Sequence, residues 1–554
     1  MKIDNPVRQD ALAYFFCAVF LSYCEWFFFR NIIGTDRLIG DHGDGRLTML
    51  VAEHWFHVFQ GKAAVSNLGI FYPALNTLAY SDMLLGYGLV HSLLRFWGMD
   101  IFYAYKTTVM LVHLLGTFSM FYLLKRSLRT CFVWALFGTI TFSFSSTYAI
   151  HISHTQLAAI SVLPLAAIFA LTFFKNLENR AKRNLYAVLS ILTLVLVLYT
   201  SWYMAFFTAL FTTTVIIVML CTAEKQKVLS TSKKFFKVLG IDSLFYLLFV
   251  VILIIPFVLI SLPVLKMSGG FGRYGFLPYG PEVIDMINVS VNNWLLGPLM
   301  RKLGLDSRGY SGEVVEGFNI VLLFSFVVLA YRVYRLNAKQ GVCHYIPYKT
   351  LVLSVIISLL LVIRLSANGI SLWLFVYYLF PGGKAIRAVA RYFFFLSLPM
   401  SLITAVMGDH LSRLKKRSIC PALILLALAF VANIHIGGVS SSWGRSEALK
   451  FISQVTPPPD DCSVFYIVNP TRNTTPWAIQ LDAYQIADHF GINTINGYSG
   501  NTPTGWGNIW EVCGDRTEYE KAVLEWIVSN NLENVYAYDE GNNSWMKFDP
   551  PVRD

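Results

Sequence analysis

The sequence predicts an α-helical polytopic membrane protein that ends in a small α/β domain. Only 14% of its 554 residues are charged and 55% are hydrophobic, whereas soluble domains carry about 25% charged residues. Apolar runs of about 18 residues or more recur, and each is long enough to cross a hydrocarbon core of roughly 30 Å. The net charge of +11 comes from short basic clusters between these runs. This placement indicates membrane topology and argues against binding to nucleic acid.

The basic clusters set the expected topology, because positive residues collect on the cytoplasmic side of a bilayer. Eleven spans place every basic cluster on that side, together with Lys2 and Arg8. The first span has no small-residue cleavage site after it, so we expect an uncleaved signal-anchor helix. The predicted spans are 11–29, 101–123, 131–150, 157–174, 184–199, 203–222, 238–262, 318–334, 349–363, 391–407 and 419–436.

One further stretch, 78–98, is apolar enough for a twelfth span. Counting it as a span would turn the basic segment "KNLENRAKR" (175–183) outward. We therefore expect an amphipathic helix at the outer surface, with Asp82, His91 and Arg95 as its polar groups.

The chain divides into a transmembrane domain (1–438) and an extracytoplasmic α/β domain (439–554). The first outer loop, about 30–100, belongs to the transmembrane domain. In the second domain, "CSVFYIV", "INTING" and "NVYAYD" predict strands, and 477–490 and 517–530 have helical periodicity. Cys462 and Cys513 are the cysteines of this domain, and the sequence leaves open whether they pair.

The densest group of ionisable residues is "GDHGDGRL" (40–47), in the first outer loop. Asp41 and Asp44 stand three apart among glycines, which let a backbone approach a ligand closely. Two carboxylates can share the work of a base and of a group that orients a substrate or a metal ion. Whether they bind a divalent ion is left open. Three residues further along the chain would support the two aspartates: Arg46, Glu53 and His54. Glu53 is also a third catalytic candidate.

A basic pair, Arg387 and Arg391, lies at the start of the tenth predicted span. Its i, i+4 spacing predicts that both side chains project from one helix face. Two cations at a helix N-terminus repel each other and oppose the macrodipole. An anion such as a lipid phosphate would neutralise them, although anchoring in lipid headgroups explains the pair equally well.

Histidines and a second acidic pair complete the outer candidates. His151 and His154 follow the third span, three residues apart. Two histidines are too few for a zinc site, so hydrogen-bonded histidines are the simpler interpretation. Glu313 and Glu316 stand just before the eighth span, where a solvated loop is the alternative.

Several motifs together resemble the GT-C superfamily of membrane glycosyltransferases, and in particular a group of bacterial multispanning GT-C-like proteins. They are "DGRL…EH…G…FYPALNTLAYSD", "EGFN", "PGGKAIRAVARYF" and "INGYSGNTPTGW". The resemblance covers most of the chain in order. It implies a bacterial inner-membrane enzyme that moves a sugar from a polyprenyl-phosphate carrier to a glycan or lipid acceptor of the envelope.

By this resemblance Asp44 is the catalytic base, with Asp41 as its rival. The expected substrate-binding residues are Arg46, His54, Asp82, His151, His154, Arg387, Arg391, Tyr498 and Trp506. The two aromatic residues would stack on a sugar, although a packed core explains them as well. The C-terminal domain is then a lid or an acceptor-binding platform.

Two other functions stay open at this stage. A flippase for a lipid-linked saccharide would use the same arginines but would need no carboxylate base. Transporters often contain repeated halves, and no such repeat is apparent. A non-catalytic scaffold would tolerate loss of the charges in "GDHGDGRL".

Overall fold

The chain folds as a helical bundle with a small sheet domain on one end, as seen in a computed structural model. The structure describes residues 6–222, 226, 238–272, 275–305, 313–335, 341–343, 346–365, 370–414, 420–436, 438–439, 443–468, 476–512 and 515–548. Cys513 and the predicted cytoplasmic lysines 225, 227, 233, 234, 237, 339, 415 and 416 lie outside these residues. Cys462 is a buried free thiol.

Among the described residues, eight helices are long and apolar enough to cross a membrane. The first six of these spans are α1 (Pro6–Phe28), α4 (Ile101–Tyr122, prolonged by a π-turn to Ser127), α5 (Phe132–Ser143) with α6 (Ser146–His151), a 3₁₀ turn (Leu157–Val162) with α7 (Leu163–Lys175), α8 (Arg180–Thr200) and α9 (Trp202–Cys221). The other two are α10 (Asp242–Ser268) and α15 (Arg391–Leu414).

Three further predicted spans form shorter helices. They are α12 (Ile320–Arg335), α13 (Tyr348–Val362) and α16 (Cys420–Ala432). Helices of 13 to 16 residues reach about 20–24 Å, which is less than a hydrocarbon core of roughly 30 Å. The structure thus shows a helical membrane protein, and the number eleven stays a prediction.

The first loop carries two helices that lie outside the membrane candidates, α2 (Asp44–Phe59) and α3 (Leu85–Phe96). The stretch 78–98 forms a 3₁₀ turn and then α3, which has 12 residues and is too short to span a bilayer. Leu93, Phe96 and Trp97 are exposed on it, whereas His91 is buried. These observations agree with an amphipathic surface helix.

The bundle packs around α5 and α15, which are its most buried spans, whereas α10 is the least buried. Side-chain N-caps mark the start of α4 and of α9. Asp100 caps α4 by accepting hydrogen bonds from the N–H groups of Phe102 and Tyr103, and Ser201 caps α9. The remaining helices between spans are α11 (Gly297–Lys302) and α14 (Trp373–Leu379), and β1 (Gly341–Cys343) pairs with β2 (Ile346–Pro347).

The C-terminal domain contains a four-stranded sheet of order β4-β3-β5-β6. β3 is parallel to β4 and β5, and β6 is antiparallel to β5. The predicted strands and helices of this domain are confirmed. Its elements are α17 (Arg445–Gln454), β3 (Val464–Ile467), α18 (Pro476–Phe490), β4 (Asn493–Thr494), α19 (Gly507–Glu511), α20 (Arg516–Ser529), β5 (Val535–Asp539) and β6 (Ser544–Lys547).

The first loop forms backbone hydrogen bonds with β4 and the residues just after it. The N–H of Thr494 donates to the carbonyl of Gly69 at 2.9 Å, and the N–H of Tyr72 donates to the carbonyl of Thr494 at 3.0 Å. Phe71 donates to Asn496 in the same way and lies fully buried. One hydrophobic core therefore continues from the bundle into the C-terminal domain.

Candidate functional site

The "GDHGDGRL" loop is shaped by its glycines and by Asp41. A Cβ on Gly45 would lie 2.8 Å from the Cα of Gly40, so the two backbones touch where only glycine fits. The Asp41 carboxylate accepts hydrogen bonds from the N–H groups of Gly43 and Gly45, at 3.1 and 3.0 Å. Asp41 thus satisfies backbone donors at the start of α2 and sets the position of Asp44, the first helical residue.

Asp44 joins three distant parts of the chain. The Tyr498 hydroxyl, from the C-terminal domain, donates to Oδ1 of Asp44 at 2.9 Å. Nδ1 of His154, from the loop after α6, lies 2.7 Å from Oδ2. The Asp44 side chain keeps 30% of its surface exposed. The site is therefore assembled across loops and still open to a ligand.

The electrostatics keep Asp44 ionised. Burial by itself would raise the pKa of Asp44, but its contacts with His154 and Tyr498 and the charge of Arg391 outweigh burial and lower that pKa to about 2. For Tyr498, burial and the neighbouring Asp44 raise the pKa well above the usual range. The hydroxyl thus stays protonated and donates to a fixed anion.

Arg391 lies beside this group and forms an ion pair with Glu313. Its Nε and Nη2 atoms contact the two carboxylate oxygens of Glu313 at 3.0 and 2.9 Å. The guanidinium also stacks over Tyr203 at 5.0 Å from the ring centre. Burial would raise the pKa of Glu313, but Arg391 and the two histidines outweigh it and lower this pKa.

His151 and Glu316 continue the polar cluster inward. Nε2 of His151 lies 3.0 Å from Oε1 of Glu316 and 3.1 Å from the carbonyl oxygen of Val315. The rings of His151 and His154 stack with their centres 6.3 Å apart. Both His151 and Glu316 are buried, so His151 supports the site from behind.

Arg387 does not share a helix with Arg391, which corrects the predicted i, i+4 face. α15 begins at Arg391, and Arg387 lies in irregular backbone between the 3₁₀ turn Gly383–Ala385 and that helix. Its guanidinium stacks over Tyr279 and Phe271, at 5.1 and 5.4 Å. The side chain is exposed and forms no salt bridge within the described part of the chain. Arg387 is the arginine of the pair that is open to an anion.

Asp82 enters from the segment before α3. One of its oxygens accepts a hydrogen bond from the N–H of Trp202 at 2.6 Å, at the start of α9. Burial raises the pKa of Asp82 to about 6, and the Trp202 N–H and the charge of Arg391 only partly oppose this rise. The charge of Arg391 therefore acts to lower the pKa of both Asp44 and Asp82.

Glu53 does not join Asp44, although the sequence grouped them as catalytic. It lies nine residues further along α2, or about 13 Å at 1.5 Å per residue. It contacts Nε2 of His91 at 2.6 Å and receives two hydrogen bonds from Arg95. The side chain is buried, and its paired contacts lower its pKa against the effect of burial. Its observed role is to bind α2 to α3.

Arg46 and His54 also have structural partners instead of the expected substrate contacts. Arg46 donates to Gln485 at 2.9 Å and to Asp482 at 2.6 Å, and so joins α2 to α18. Nε2 of His54 lies 3.4 Å from the carbonyl of Val65. Burial lowers the pKa of His54 to about 4, which keeps the ring neutral.

Trp506 is fully buried, so its ring cannot present a face to a sugar in this conformation. It donates to the carbonyl of Ile495 at 2.9 Å and meets Phe71 edge to face. Trp506 is therefore a core residue. Tyr498, by contrast, reaches Asp44 and lies 6.1 Å from the ring of Trp510.

Within the described residues, no group of three or more His, Cys, Asp or Glu side chains is arranged to hold a metal ion. The observed partners of Asp41 are backbone N–H groups, and those of Asp44 are a tyrosine and a histidine.

Sequence reasoning did not single out Tyr203 or the pair His57 and Asp488. Tyr203 accepts hydrogen bonds from the N–H groups of Arg387 and Ala388 and so positions the arginine segment. Its signal was weak, because "YTSWY" resembles any turn between two spans. His57 contacts Asp488 at 3.2 Å, a partner more than 400 residues away that no local pattern indicates.

The fold and the site define a class: a polytopic α-helical membrane protein with a polar site at one end of its bundle, beneath a C-terminal α/β domain. No protein-family model and no curated protein matches the chain.

Proposed function

We propose that the protein is a membrane glycosyltransferase. It would move a sugar from a polyprenyl-phosphate carrier to a glycan or lipid acceptor of the envelope, on the outer face of a bacterial inner membrane. The observation that carries this proposal is the ionised Asp44 carboxylate, held between His154 and Tyr498 at the end of the bundle. An exposed arginine, Arg387, lies in the same set of loops.

The reaction needs an acceptor for one proton. The acceptor hydroxyl attacks the anomeric carbon of the sugar, and a nearby base removes the hydroxyl proton as the new bond forms. Within the described residues, His154 is the histidine that contacts the Asp44 carboxylate. This pair supplies the basic end of the site.

The leaving group needs stabilisation of its charge. A polyprenyl phosphate departs with the electron pair of the broken C–O bond, and an arginine binds a phosphate through charge-assisted hydrogen bonds. Arg391 is already paired with Glu313 through Nε and Nη2, whereas Arg387 is exposed, so we assign the phosphate to Arg387. Arg391 then holds the Glu313 carboxylate in place.

The test measures release of polyprenyl phosphate, which requires no knowledge of the acceptor. Membranes of the native host that contain wild-type protein or a variant are supplied with a panel of synthetic polyprenyl-phosphate hexoses, and the products are measured by mass spectrometry. Asp44→Asn should lower the rate by at least about 100-fold. Arg387→Gln should lower it by about 10-fold or more, since one charge-assisted contact is lost.

The controls separate loss of function from loss of protein. Glu525→Gln removes an exposed carboxylate of α20, and Lys302→Gln removes an exposed cation of α11; both should match the wild type. Protein amounts in the membrane are equalised by immunoblotting. An unchanged surface glycan profile and an unchanged release rate in Asp44→Asn would contradict a transferase and favour a flippase or a scaffold.

A further inference from the structure

The contact between Asp44 and His154 fixes the orientation of an imidazole ring. Nδ1 of His154 is buried and lies 2.7 Å from Oδ2 of Asp44, a close contact in which the two atoms do not meet with hydrogen-bond geometry. Nε2 makes no hydrogen bond to any of the described residues, and the His154 side chain keeps 21% of its surface exposed. The ring therefore offers Nε2 to a ligand and Nδ1 to the protein.

The short distance also determines the tautomer. Two lone pairs do not approach to 2.7 Å, so a proton lies on Nδ1 when the ring is neutral. Nε2 then carries the free lone pair. Asp44 itself is a weak base, because its contacts lower its pKa to about 2, and a good general base has a pKa near the working pH.

We infer that Nε2 of His154 removes the acceptor proton, and that Asp44 is the positioning residue that orients the ring. This inference rests on the proposed glycosyl transfer. The acceptor O–H bond breaks and its proton goes to Nε2, while the acceptor oxygen bonds to the anomeric carbon. The bond from that carbon to the phosphate oxygen breaks, and the electron pair leaves with the polyprenyl phosphate.

The surroundings suit a ring that becomes an imidazolium during the reaction. Asp44 faces the ring from α2, and the Glu313 carboxylate is close enough for its pKa to respond to His154. His151 stacks on the ring from α6. Arg391, from α15, opposes the new charge, but Glu313 contacts it through both oxygens. Tyr498 faces Asp44 from the C-terminal domain.

Chemical rescue distinguishes the two candidate bases. In the release assay described above, we compare His154→Ala, His154→Gln and Asp44→Ala, with the hexose donor that gives the highest wild-type rate. Both His154 variants should lose at least about 100-fold. Imidazole at roughly 50–100 mM, a large excess over the enzyme, should raise the rate of His154→Ala at least tenfold. Formate should not restore the rate of Asp44→Ala.

The opposite pattern overturns the inference. A release rate of His154→Gln above one tenth of the wild-type rate shows that no proton passes through the ring. Rescue of Asp44→Ala by formate, with no effect of imidazole on His154→Ala, leads to the same conclusion. Absence of release by the wild type with every donor counts instead against the proposed function. Release by the wild type without rescue counts against His154 alone.

A second measurement does not depend on turnover and guards against misfolded variants. Diethyl pyrocarbonate acylates an accessible imidazole nitrogen, and peptide mass spectrometry locates the label. His154 should react in the wild type, and the polyprenyl-phosphate hexose should protect it. His489, which is exposed on α18, should react with or without donor. Failure of His154 to react while His489 does would show that Nε2 is inaccessible and would contradict the assignment.

Discussion

At the scale of single residues, three aspartates of the first loop show how surroundings decide a role. Asp41 accepts backbone N–H groups and shapes the start of α2. Asp44 is held ionised by a histidine and a tyrosine. Asp82 is half-buried with one N–H donor, and desolvation raises its pKa. The sequence places all three in one loop, but the distinction between them depends on partners from other loops.

Asp82→Asn should make the protein more stable at pH 7.5. The pKa of Asp82 is about 6 in the folded chain, above the value near 3.9 of an unfolded aspartate. Between these values the folded state binds more protons, so its stability falls as the pH rises through this window. Above pH 6 the ionised carboxylate costs at most about 3 kcal/mol, and the Asn oxygen can still accept the Trp202 N–H.

The measurement is the thermal midpoint of protein purified in detergent, followed by tryptophan fluorescence at pH 5 and pH 7.5. The gain of Asp82→Asn should shrink as the pH falls below 6. Asp460→Asn, at an exposed position, serves as the matched control. A larger gain in thermal midpoint at pH 5 than at pH 7.5 would contradict a raised pKa of Asp82 in the folded chain.

At the scale of elements, α2 is the part that joins the bundle to the C-terminal domain. Its first residue enters the site, and two further positions face α18: Arg46 contacts Asp482, and His57 contacts Asp488. Glu53 on the same helix binds α3. The helix therefore fixes the distance between the site and the domain above it.

The contact between His57 and Asp488 should make this junction sensitive to pH. A hydrogen bond to Asp488 raises the pKa of His57 against the effect of burial. A raised histidine pKa gives stability that is fully present below pH 6.5 and is lost as the pH rises through the folded pKa. His57→Gln should therefore lower the thermal midpoint by about 1–3 °C at pH 6 and by less at pH 9.

His489→Gln provides the matched control, because this exposed histidine lies on the same helix as Asp488. It should leave the midpoint unchanged at both pH values. An equal loss for His57→Gln at pH 6 and pH 9 would mean that packing, and not charge, holds the two helices together.

The sequence predicted elements better where the signal was local. The strands and helices of the C-terminal domain alternate with clear periodicity, and their predicted positions are confirmed. The helical face shared by Arg387 and Arg391 was wrong, because α15 begins only at Arg391. Periodicity across a helix start cannot show which turn is the first. No local pattern indicates the contacts of Glu53 with His91 or of Arg46 with Asp482, because these partners are 38 and 436 residues away.

At the scale of the whole molecule, the loops predicted to share one side of the membrane do meet. The first loop contacts the loop after α6 through Asp44 and His154, and it contacts the start of α9 through Asp82. The loop before α12 reaches α15 through Glu313. Charge clusters gave this grouping correctly, although they say nothing of the distances within it.

Labelling of single cysteines in intact cells tests which side this is. Glu533→Cys and Glu178→Cys lie at exposed positions, in the C-terminal domain and before α8. In a background in which all eight native cysteines are replaced, an impermeant maleimide should label Glu533→Cys directly. It should label Glu178→Cys only after permeabilisation. The reverse result would place the site in the cytoplasm and contradict the proposed envelope acceptor.

The pairing of the first loop with β4 ties assembly of the site to the order of synthesis. Asp44 and Tyr498 are separated by 454 residues, and residues 69–72 find their backbone partners at Thr494 and Asn496 almost as late. At about 5–20 residues per second, Asp44 waits roughly 20–90 s for the domain that completes its surroundings. A chain whose translation stopped early would insert its spans in the membrane and still have no assembled site.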